Sequence, residues 1–236
     1  MNMKSRTMGG IPENVSSEFN NGQACVKSVV SAALALWLGV VLFLGYQGAF
    51  VGRAGSPPVG IFLGLAIPLA VFFAAYFGWG AFRTFILGAD LRFVTAMQGW
   101  RWAGLHFLFL YASGVLPGLF AIPAGLGDMA VGITAPWIVL GLVRNPSFAA
   151  SRRYVLWNIL GIFDFVVAVS MAVLCSGLFP GMNGLIGNIT TAPMSQLPSV
   201  LTPAYIVPFF TMLHLTALLQ ARQLARSGKS ARVLNG

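Results

Sequence analysis

Charged side chains are scarce in this sequence. Lysine, arginine, aspartate and glutamate together make up 8% of the 236 residues, whereas a soluble domain carries roughly a quarter. Apolar residues make up 57%, and a water-soluble chain of this length does not hide that much apolar surface in a single core. The composition therefore excludes an ordinary soluble domain and predicts a helical membrane protein.

Cysteine and histidine are also rare, with two of each. We predict Cys25 and Cys175 at opposite depths of the membrane, so no internal disulfide is expected. No metal-ligand cluster, nucleotide-binding loop or activated nucleophile is evident in the sequence. We therefore expect no cofactor and assign no catalytic residue, and whether the protein is an enzyme stays open.

Long apolar runs account for most of the chain. Several of them reach the roughly 20 residues that a helix needs to cross a bilayer. Because the runs are continuous and not alternating, they favour helices over a membrane barrel. The predicted fold class is all-α, a polytopic bundle of six transmembrane helices. The predicted spans are Ser28–Gly48, Val59–Trp79, Ala103–Ile122, Met129–Val143, Val155–Phe179 and Pro203–Leu219.

Basic residues lie almost entirely on one side of these spans. Of the 14 lysines and arginines, only Arg53 falls on the opposite side. The positive-inside rule therefore places both termini in the cytoplasm, as in a bacterial inner-membrane protein. The predicted domains are a disordered tail at 1–25, the transmembrane domain at 26–222 and a basic tail at 223–236.

The net charge of +9 follows from this topology and does not indicate a nucleic-acid partner. Anionic lipid headgroups on the cytoplasmic side are the expected partner of the basic residues. A homodimer, or membership of a larger membrane complex, stays open.

Two histidines and two aspartates lie within the predicted spans or directly beside one: His106, Asp128, Asp164 and His214. Charges inside a bilayer are costly, so such residues usually face a partner or water. Distances along the helices put Asp164 and His214 at similar depth. A carboxylate paired with an imidazole can carry a proton, and this pair is either a relay or substrate site, or a hydrogen-bonded lock between helices. Tyr111 and Thr211 lie at similar depth and could join it.

The stretch LPGLFAIPAGLGD, at 116–128, contains two prolines and three glycines. We predict that Pro117 and Pro123 break the third span and that Gly125 and Gly127 allow a tight reversal. Asp128 would then cap the fourth span. The alternative is that irregular backbone here lines a cavity, as in transporters with broken helices.

Two enzyme or redox alternatives depend on the same residues. GLGD resembles the motif of intramembrane aspartyl proteases, which need two neighbouring aspartates. However, the depth estimate separates Asp128 from Asp164 by about 8 Å, and the order of motifs differs. His106 and His214 could ligate a b-type haem axially.

Two connections carry structural expectations. Residues 81–102 have the spacing of a short helix along the inner membrane surface. The connection 180–202 has no charged residue and either folds over the outer mouth of the bundle or forms a loose surface loop.

The segments QGWRWAG, GITAPWIVLGLVRNPSF, VLWNILGIFD and HLTALLQAR, together with LPGLFAIPAGLGD, resemble a group of small bacterial inner-membrane proteins. This resemblance implies no catalytic residues. The function we expect is small-solute or proton-linked translocation through a polar site in the bundle. The alternatives are a non-catalytic assembly subunit and a membrane-embedded haem protein or enzyme.

Overall fold

The computed structural model describes residues 13–52, 56–179, 181 and 189–234, with side chains between residues 22 and 227. These residues are helical or form turns, and no strand occurs among them, which confirms the all-α class. The α-helices are α1 Glu13–Tyr46, α2 Val59–Gly78, α3 Gly80–Leu87, α4 Leu91–Met97, α5 Leu105–Ala112, α6 Gly118–Arg144, α7 Arg152–Leu174 and α8 Val207–Leu234. A π-helical turn, Thr202–Ile206, leads into α8. Three described 3₁₀ helices are Gln98–Gly104, Pro146–Ala150 and Ala192–Ser195.

Five described helical segments are long and apolar enough to cross a membrane. Many large apolar side chains point outward from them, including Leu36, Phe77 and Trp137. Outward-facing apolar surface on this scale fits helices surrounded by lipid. The five segments are Gly22–Tyr46, Val59–Gly78, Gly118–Arg144, Arg152–Leu174 and Thr202–Ser227.

The last of these segments is the central one. In Thr202–Ser227, 56% of the apolar window is buried, against 6% in Gly22–Tyr46. Helices α2, α4 and α7 all contact α8, so its side chains face protein on most sides. A buried central helix is where polar side chains can be satisfied by neighbouring helices.

Helix α4, the 3₁₀ helix Gln98–Gly104 and α5 follow one another without a gap from Leu91 to Ala112. This continuous segment runs antiparallel to α6. Gly132 of α6 touches the backbone of Trp102. A Cβ at Gly118, near the start of α6, would come within 2.7 Å of the Tyr111 ring.

The predicted break within 116–128 is wrong for most of its residues. Pro117 does precede α6 as its N-terminal cap, but Pro123 lies inside that continuous helix. Gly125 and Gly127 are also helical, so the chain does not reverse there. Proline is tolerated inside membrane helices because neighbouring groups satisfy the freed carbonyl. The two glycines instead allow other helices to approach closely.

Asp128 is therefore not a helix cap, because it lies inside α6, ten residues after the helix begins at Gly118. The turn between α5 and α6 is at Ser113–Pro117, where Gly114 has a positive φ of 70°. Glycine adopts this conformation without steric cost.

The chain termini and the connection 180–202 are also partly described. Helix α1 begins at Glu13, within the predicted tail 1–25, and α8 continues to Leu234, within the predicted tail 223–236. Residues 182–188 of the connection 180–202, like residues 1–12 and Arg53, lie outside the described residues. The described part packs on the bundle: Thr191 donates to the Ala172 carbonyl at 2.7 Å, and Met194 is buried.

Candidate functional site: a buried arginine between two aspartates

Arg101 lies in the middle of the bundle, on the 3₁₀ helix Gln98–Gly104, and is 3% exposed. Its Nε donates to Oδ1 of Asp128 on α6 at 2.7 Å. Its Nη2 donates to Oδ2 of Asp164 on α7, and its Nη1 donates to the Gly161 carbonyl at 3.2 Å. One guanidinium therefore joins three helical segments through charged or polar bonds.

The face of the Arg101 guanidinium is also occupied. The guanidinium carbon lies 3.9 Å from the centre of the Phe165 ring. A cation above an aromatic face is attracted by the ring quadrupole, more strongly when both are desolvated. Hydrogen-bond acceptors therefore surround the edge of the Arg101 guanidinium, and the Phe165 ring covers one of its faces.

His214 of α8 completes the contacts of the arginine. Its Nε2 lies 3.0 Å from Nη1 of Arg101, and its Nδ1 lies 2.9 Å from Oδ1 of Asn158. Arginine has N–H donors and no acceptor, so Nε2 must accept the Arg101 hydrogen bond. The imidazole is then neutral and carries its proton on Nδ1, which donates to Asn158.

A chain of hydrogen bonds continues from Asn158 toward α4. Asn158 Nδ2 donates to the Tyr154 carbonyl at 2.9 Å. The Tyr154 hydroxyl lies 3.1 Å from Oγ1 of Thr95. All of these side chains are buried, which matches the rule that buried polar groups find partners.

Two glycines create the space that this polar cluster occupies. A Cβ at Gly127 would overlap the Asp164 carboxylate, and a Cβ at Gly161 would overlap the His214 ring. Each of these glycines lies on one helix and accommodates a polar side chain from another. The small residues therefore let α6, α7 and α8 bring their polar side chains to one place.

The charges in this cluster do not cancel when both acids are ionised. Arg101 contributes one positive charge and the two aspartates contribute two negative charges, so the cluster carries one excess negative charge. The Arg101 side chain is 1% exposed, whereas the Asp128 and Asp164 side chains are 16% and 13% exposed. The Arg101 side chain is therefore inaccessible from outside the protein, whereas both carboxylates remain partly accessible.

Two cavities meet at Asp128. The first cavity, called the outer cavity below, has a volume of about 410 Å³ and extends from Asp128 to residues 50–52, 56–58 and 190–196. The side cavity has a volume of about 400 Å³ and lies between the segment 98–107 and the residues 202–210. The described residues that line both cavities are Phe107, Asp128, Phe165, Thr202 and Val207.

The structure brings together three of the residues that the sequence singled out. Asp164 and His214 both contact Arg101, although no hydrogen bond joins them to each other in the described structure. Asp128 contacts the same arginine. The sequence estimate placed Asp128 and Asp164 at different depths, but the Arg101 guanidinium reaches both carboxylates.

Three other candidates lie away from the cluster. Tyr111 is 46% exposed and packs near Gly118. Thr211 is buried, but its hydroxyl donates to the Val207 carbonyl of its own helix at 2.7 Å. His106 is exposed at the side cavity.

The central residue of the site, Arg101, was not among the sequence candidates. Its position between Trp100 and Trp102, two residues typical of membrane interfaces, favoured a loop at the membrane surface. Asn158 carries a usable signal, because it lies six residues before Asp164 in an otherwise apolar helix. The sequence gives no such signal for Tyr154 or Thr95.

The haem and protease hypotheses meet specific constraints in this geometry. Both ring nitrogens of His214 are occupied by protein hydrogen bonds, so an iron ligand would have to displace one of them. Between the two aspartates lies the Arg101 guanidinium, at the position where an aspartyl protease needs a shared proton and water. Among the described residues, no group of three or more His, Cys, Asp or Glu side chains is arranged to hold a metal ion.

The comparisons with known proteins identify a family and no activity. Residues 58–222, more than half of the chain, match a family described as a domain of unknown function, DUF8737. The chain belongs to this family. No curated protein and no solved structure matches it. The matched region contains all of segment Leu91–Ala112. It also contains Arg101 and the three side chains bonded to it, Asp128, Asp164 and His214, which together are called the Arg101 cluster.

Proposed function

We propose that the protein is a membrane transporter that links translocation of a small solute to protonation of the Arg101 cluster. One observation carries this proposal: Asp128 bonds to Arg101 and also lines both cavities. A solute in either cavity is therefore in reach of a carboxylate that is already balanced by a buried cation. A change in the charge of Asp128 changes its bond to Arg101, which is the coupling that proton-linked transport requires.

The same proposal includes a topology of six membrane crossings. The continuous segment Leu91–Ala112 combines α-helical and 3₁₀ turns and spans about 36 Å at their usual rises. The hydrocarbon core is about 30 Å thick, so this segment is long enough to be the third crossing. Both termini then lie in the cytoplasm of a bacterial cell, with the basic ends of the helices near anionic headgroups.

A second candidate function is that of a non-catalytic subunit of a membrane assembly. The observation that favours it is the complete engagement of Arg101, whose bonds join α6, α7 and α8 to the segment Leu91–Ala112. In this case the cluster only fixes the packing of the helices. The two candidates differ in whether the charges of the cluster are needed once the fold is stable.

Reconstituted vesicles separate the two candidates. Purified protein is placed in liposomes that contain a pH-sensitive dye, and amines, carboxylic acids, amino acids and sugars are added in turn. We expect one class to move protons across the membrane. We also expect Asp128→Asn and Asp164→Asn to lower that flux at least about tenfold, while Asp90→Asn, at an exposed carboxylate outside the cluster, preserves it.

A neutral version of the cluster gives the decisive comparison. Arg101→Met combined with Asp128→Asn and Asp164→Asn removes all three charges and keeps similar volumes, so it should fold. Loss of proton flux in this folded variant supports transport. Absence of flux in the wild type with every solute class, together with lowered stability of the single variants, would support the assembly role instead.

A further inference from the structure

The outer cavity is walled mainly by aromatic and aliphatic side chains. Rings of Phe50, Phe62, Phe107 and Phe120 line it, and the charged side chain among its described lining residues is Asp128. Its volume of about 410 Å³ lies within the range typical of small-molecule sites. An apolar chamber that ends at a carboxylate suits a ligand with apolar groups around a positive charge.

The side cavity opens on the flank of the bundle. Its rim includes Trp100, Ala103, His106 and Ile206, all of which are exposed. These residues are at the level of Arg101, in the middle of the bundle and not at its ends. In a bilayer this opening faces hydrocarbon, so a ligand that enters through it must itself partition into lipid.

A π-helical turn, Thr202–Ile206, borders both cavities together with the start of α8. Thr202 lines both of them, Pro203 lines the outer cavity and Ile206 lines the side cavity. The Ala204 carbonyl in this turn accepts a hydrogen bond from Trp37 of α1 at 3.0 Å. Single π-helical turns are frequent at functional sites, and this one borders both of the cavities that reach Asp128.

The charge of the cluster limits what can bind there. With both acids ionised, Arg101 leaves one negative charge unbalanced, and the neutral His214 does not offset it. Other groups facing Asp128 are Asp164, which adds to the negative charge, and His106 at the rim of the side cavity. One proton or one monovalent cation neutralises the site. Once either of them is bound, the other binds less tightly, because no excess negative charge is left.

Resting on the proposed function, we propose that the solute is a monovalent lipophilic cation. Its charged centre binds against Asp128, and its apolar groups occupy the aromatic cavities and reach them from the lipid. A proton on the carboxylate pair displaces the cation, so the two exchange. This assigns a substrate class to the site and predicts competition between ligand and proton.

Binding to protein in lipid nanodiscs tests this assignment. Tetraphenylphosphonium is the probe, tetraphenylborate is the anion of matched shape, and empty nanodiscs give the baseline for partition into lipid. We expect saturable binding of the cation at about pH 8, and binding that weakens at least about tenfold as the pH is lowered and protons compete with the cation for Asp128 and Asp164. Saturable binding of tetraphenylborate is not expected.

Variants locate the binding site. Asp128→Asn should lose saturable binding, while Asp90→Asn, outside both cavities, should keep it. Ala192→Trp fills the mouth of the outer cavity without touching the Arg101 cluster and should weaken binding by at least about tenfold if the ligand occupies that space. This variant keeps the test valid even if Asp128→Asn folds poorly.

Each outcome either supports the assignment or overturns it. Equal binding of tetraphenylborate, or unchanged binding in both Asp128→Asn and Ala192→Trp, would overturn it. If the wild type binds no tetraphenylphosphonium but moves protons with another solute class, the substrate class is wrong and the proposed function stands. If neither binding nor proton flux is found, both are wrong.

Discussion

Nη1 of Arg101 and Nε2 of His214 lie 3.0 Å apart at the centre of the bundle. Because a guanidinium only donates, this contact requires an unprotonated Nε2. The proton of the ring is then on Nδ1, where Oδ1 of Asn158 accepts it at 2.9 Å. Asn158 in turn donates to the Tyr154 carbonyl, so the orientation of its amide is consistent with this assignment.

The tautomer of His214 is therefore a measurable consequence of the structure. We expect nitrogen NMR of ring-labelled protein at neutral pH to show a neutral His214 with a protonated Nδ1. The exposed His106 gives the second histidine signal, and His106→Gln removes it for assignment. A protonated Nε2, or an imidazolium, would contradict the contact with Arg101.

Arg101→Leu should destabilise the protein strongly. It leaves two neighbouring, partly buried carboxylates without their cation, and breaking a fully buried ion pair by removing one partner costs about 3–5 kcal/mol, which is the upper limit expected here. The melting temperature can be followed by the reaction of a thiol dye with Cys175, which is fully buried, after replacing the exposed Cys25 with serine. We expect a lower Tm for this variant than for Arg83→Leu, which removes an exposed arginine.

The neutral combination of Arg101→Met, Asp128→Asn and Asp164→Asn serves as the internal control for that prediction. Removing all three charges together leaves no unpaired buried charge, so much of the lost stability should return. If the combined variant is less stable than Arg101→Leu, the cluster contributes more through its hydrogen bonds than through its charges.

The all-α class and three members of the site could be predicted from the sequence, because both follow from simple free-energy costs. The predicted span Ala103–Ile122 was wrong, since it contains the turn Ser113–Pro117. Continuous apolar runs must be helical in lipid, and acids such as Asp128 and Asp164 do not lie inside a membrane without a partner. The partner itself could not be predicted. An arginine next to apolar segments is assigned to a membrane surface by the positive-inside rule, and only the folded structure carries Arg101 inward.

The predicted break near Pro123 was wrong for a related reason. Proline and glycine mark both helix ends and close helix packing, and sequence alone does not distinguish these uses. Gly125 and Gly127 lie where α5 and the Asp164 side chain press against α6. Tertiary contact, not a turn, explains why these positions are glycine.

Gly132→Ala should destabilise the packing of α6 against the 3₁₀ helix Gln98–Gly104. A Cβ at Gly132 would overlap the backbone of Trp102, and backbone cannot move aside as a flexible side chain does. Overpacking of this kind typically costs about 1–3 kcal/mol, which the Cys175 thiol assay would detect as a lower Tm. Gly39→Ala is the matched control, because a Cβ there meets nothing within 4 Å. Equal Tm values for the two variants would refute this close contact.

Asp90 should make the start of α4 sensitive to acid. Its Oδ1 accepts from the Arg92 backbone N–H at 2.8 Å as a helix cap, and its carboxylate pairs with the Arg92 guanidinium at 2.9 Å. Hydrogen bonds from Arg92 lower the pKa of Asp90 below its ordinary value of 3.8. A lowered pKa means that the stabilisation is present above the ordinary value and is lost as the pH falls through the folded value.

Amide hydrogen exchange of residues 91–94 measures this effect. We expect the protection factors of these amides to be high at neutral pH and to decrease below about pH 4. Asp90→Ala should remove this pH dependence and destabilise the helix by about 1 kcal/mol. The exchange of amides 166–174, in the second half of α7 and away from the contact of Tyr154 with α4, provides the control. Protection that is the same in Asp90→Ala and in the wild type would show that the cap does not hold the helix.

The membrane sidedness of the segment Leu91–Ala112 decides between five and six crossings. Thr84 in α3 and Ser113 after α5 are both exposed and lie on either side of this segment in the chain. If the segment is a crossing, Thr84→Cys reacts with a membrane-impermeant thiol reagent from the cytoplasm and Ser113→Cys reacts from the opposite face. Cysteine at Ser147, after α6, should share the compartment of Thr84, and cysteine at Ser56, before α2, should share that of Ser113.

If Thr84→Cys and Ser113→Cys are labelled from the same side, Leu91–Ala112 does not cross, and Arg101 would enter the bundle on a re-entrant segment. The termini would then lie on opposite faces, and the positive-inside argument for a cytoplasmic C-terminus would fail with them.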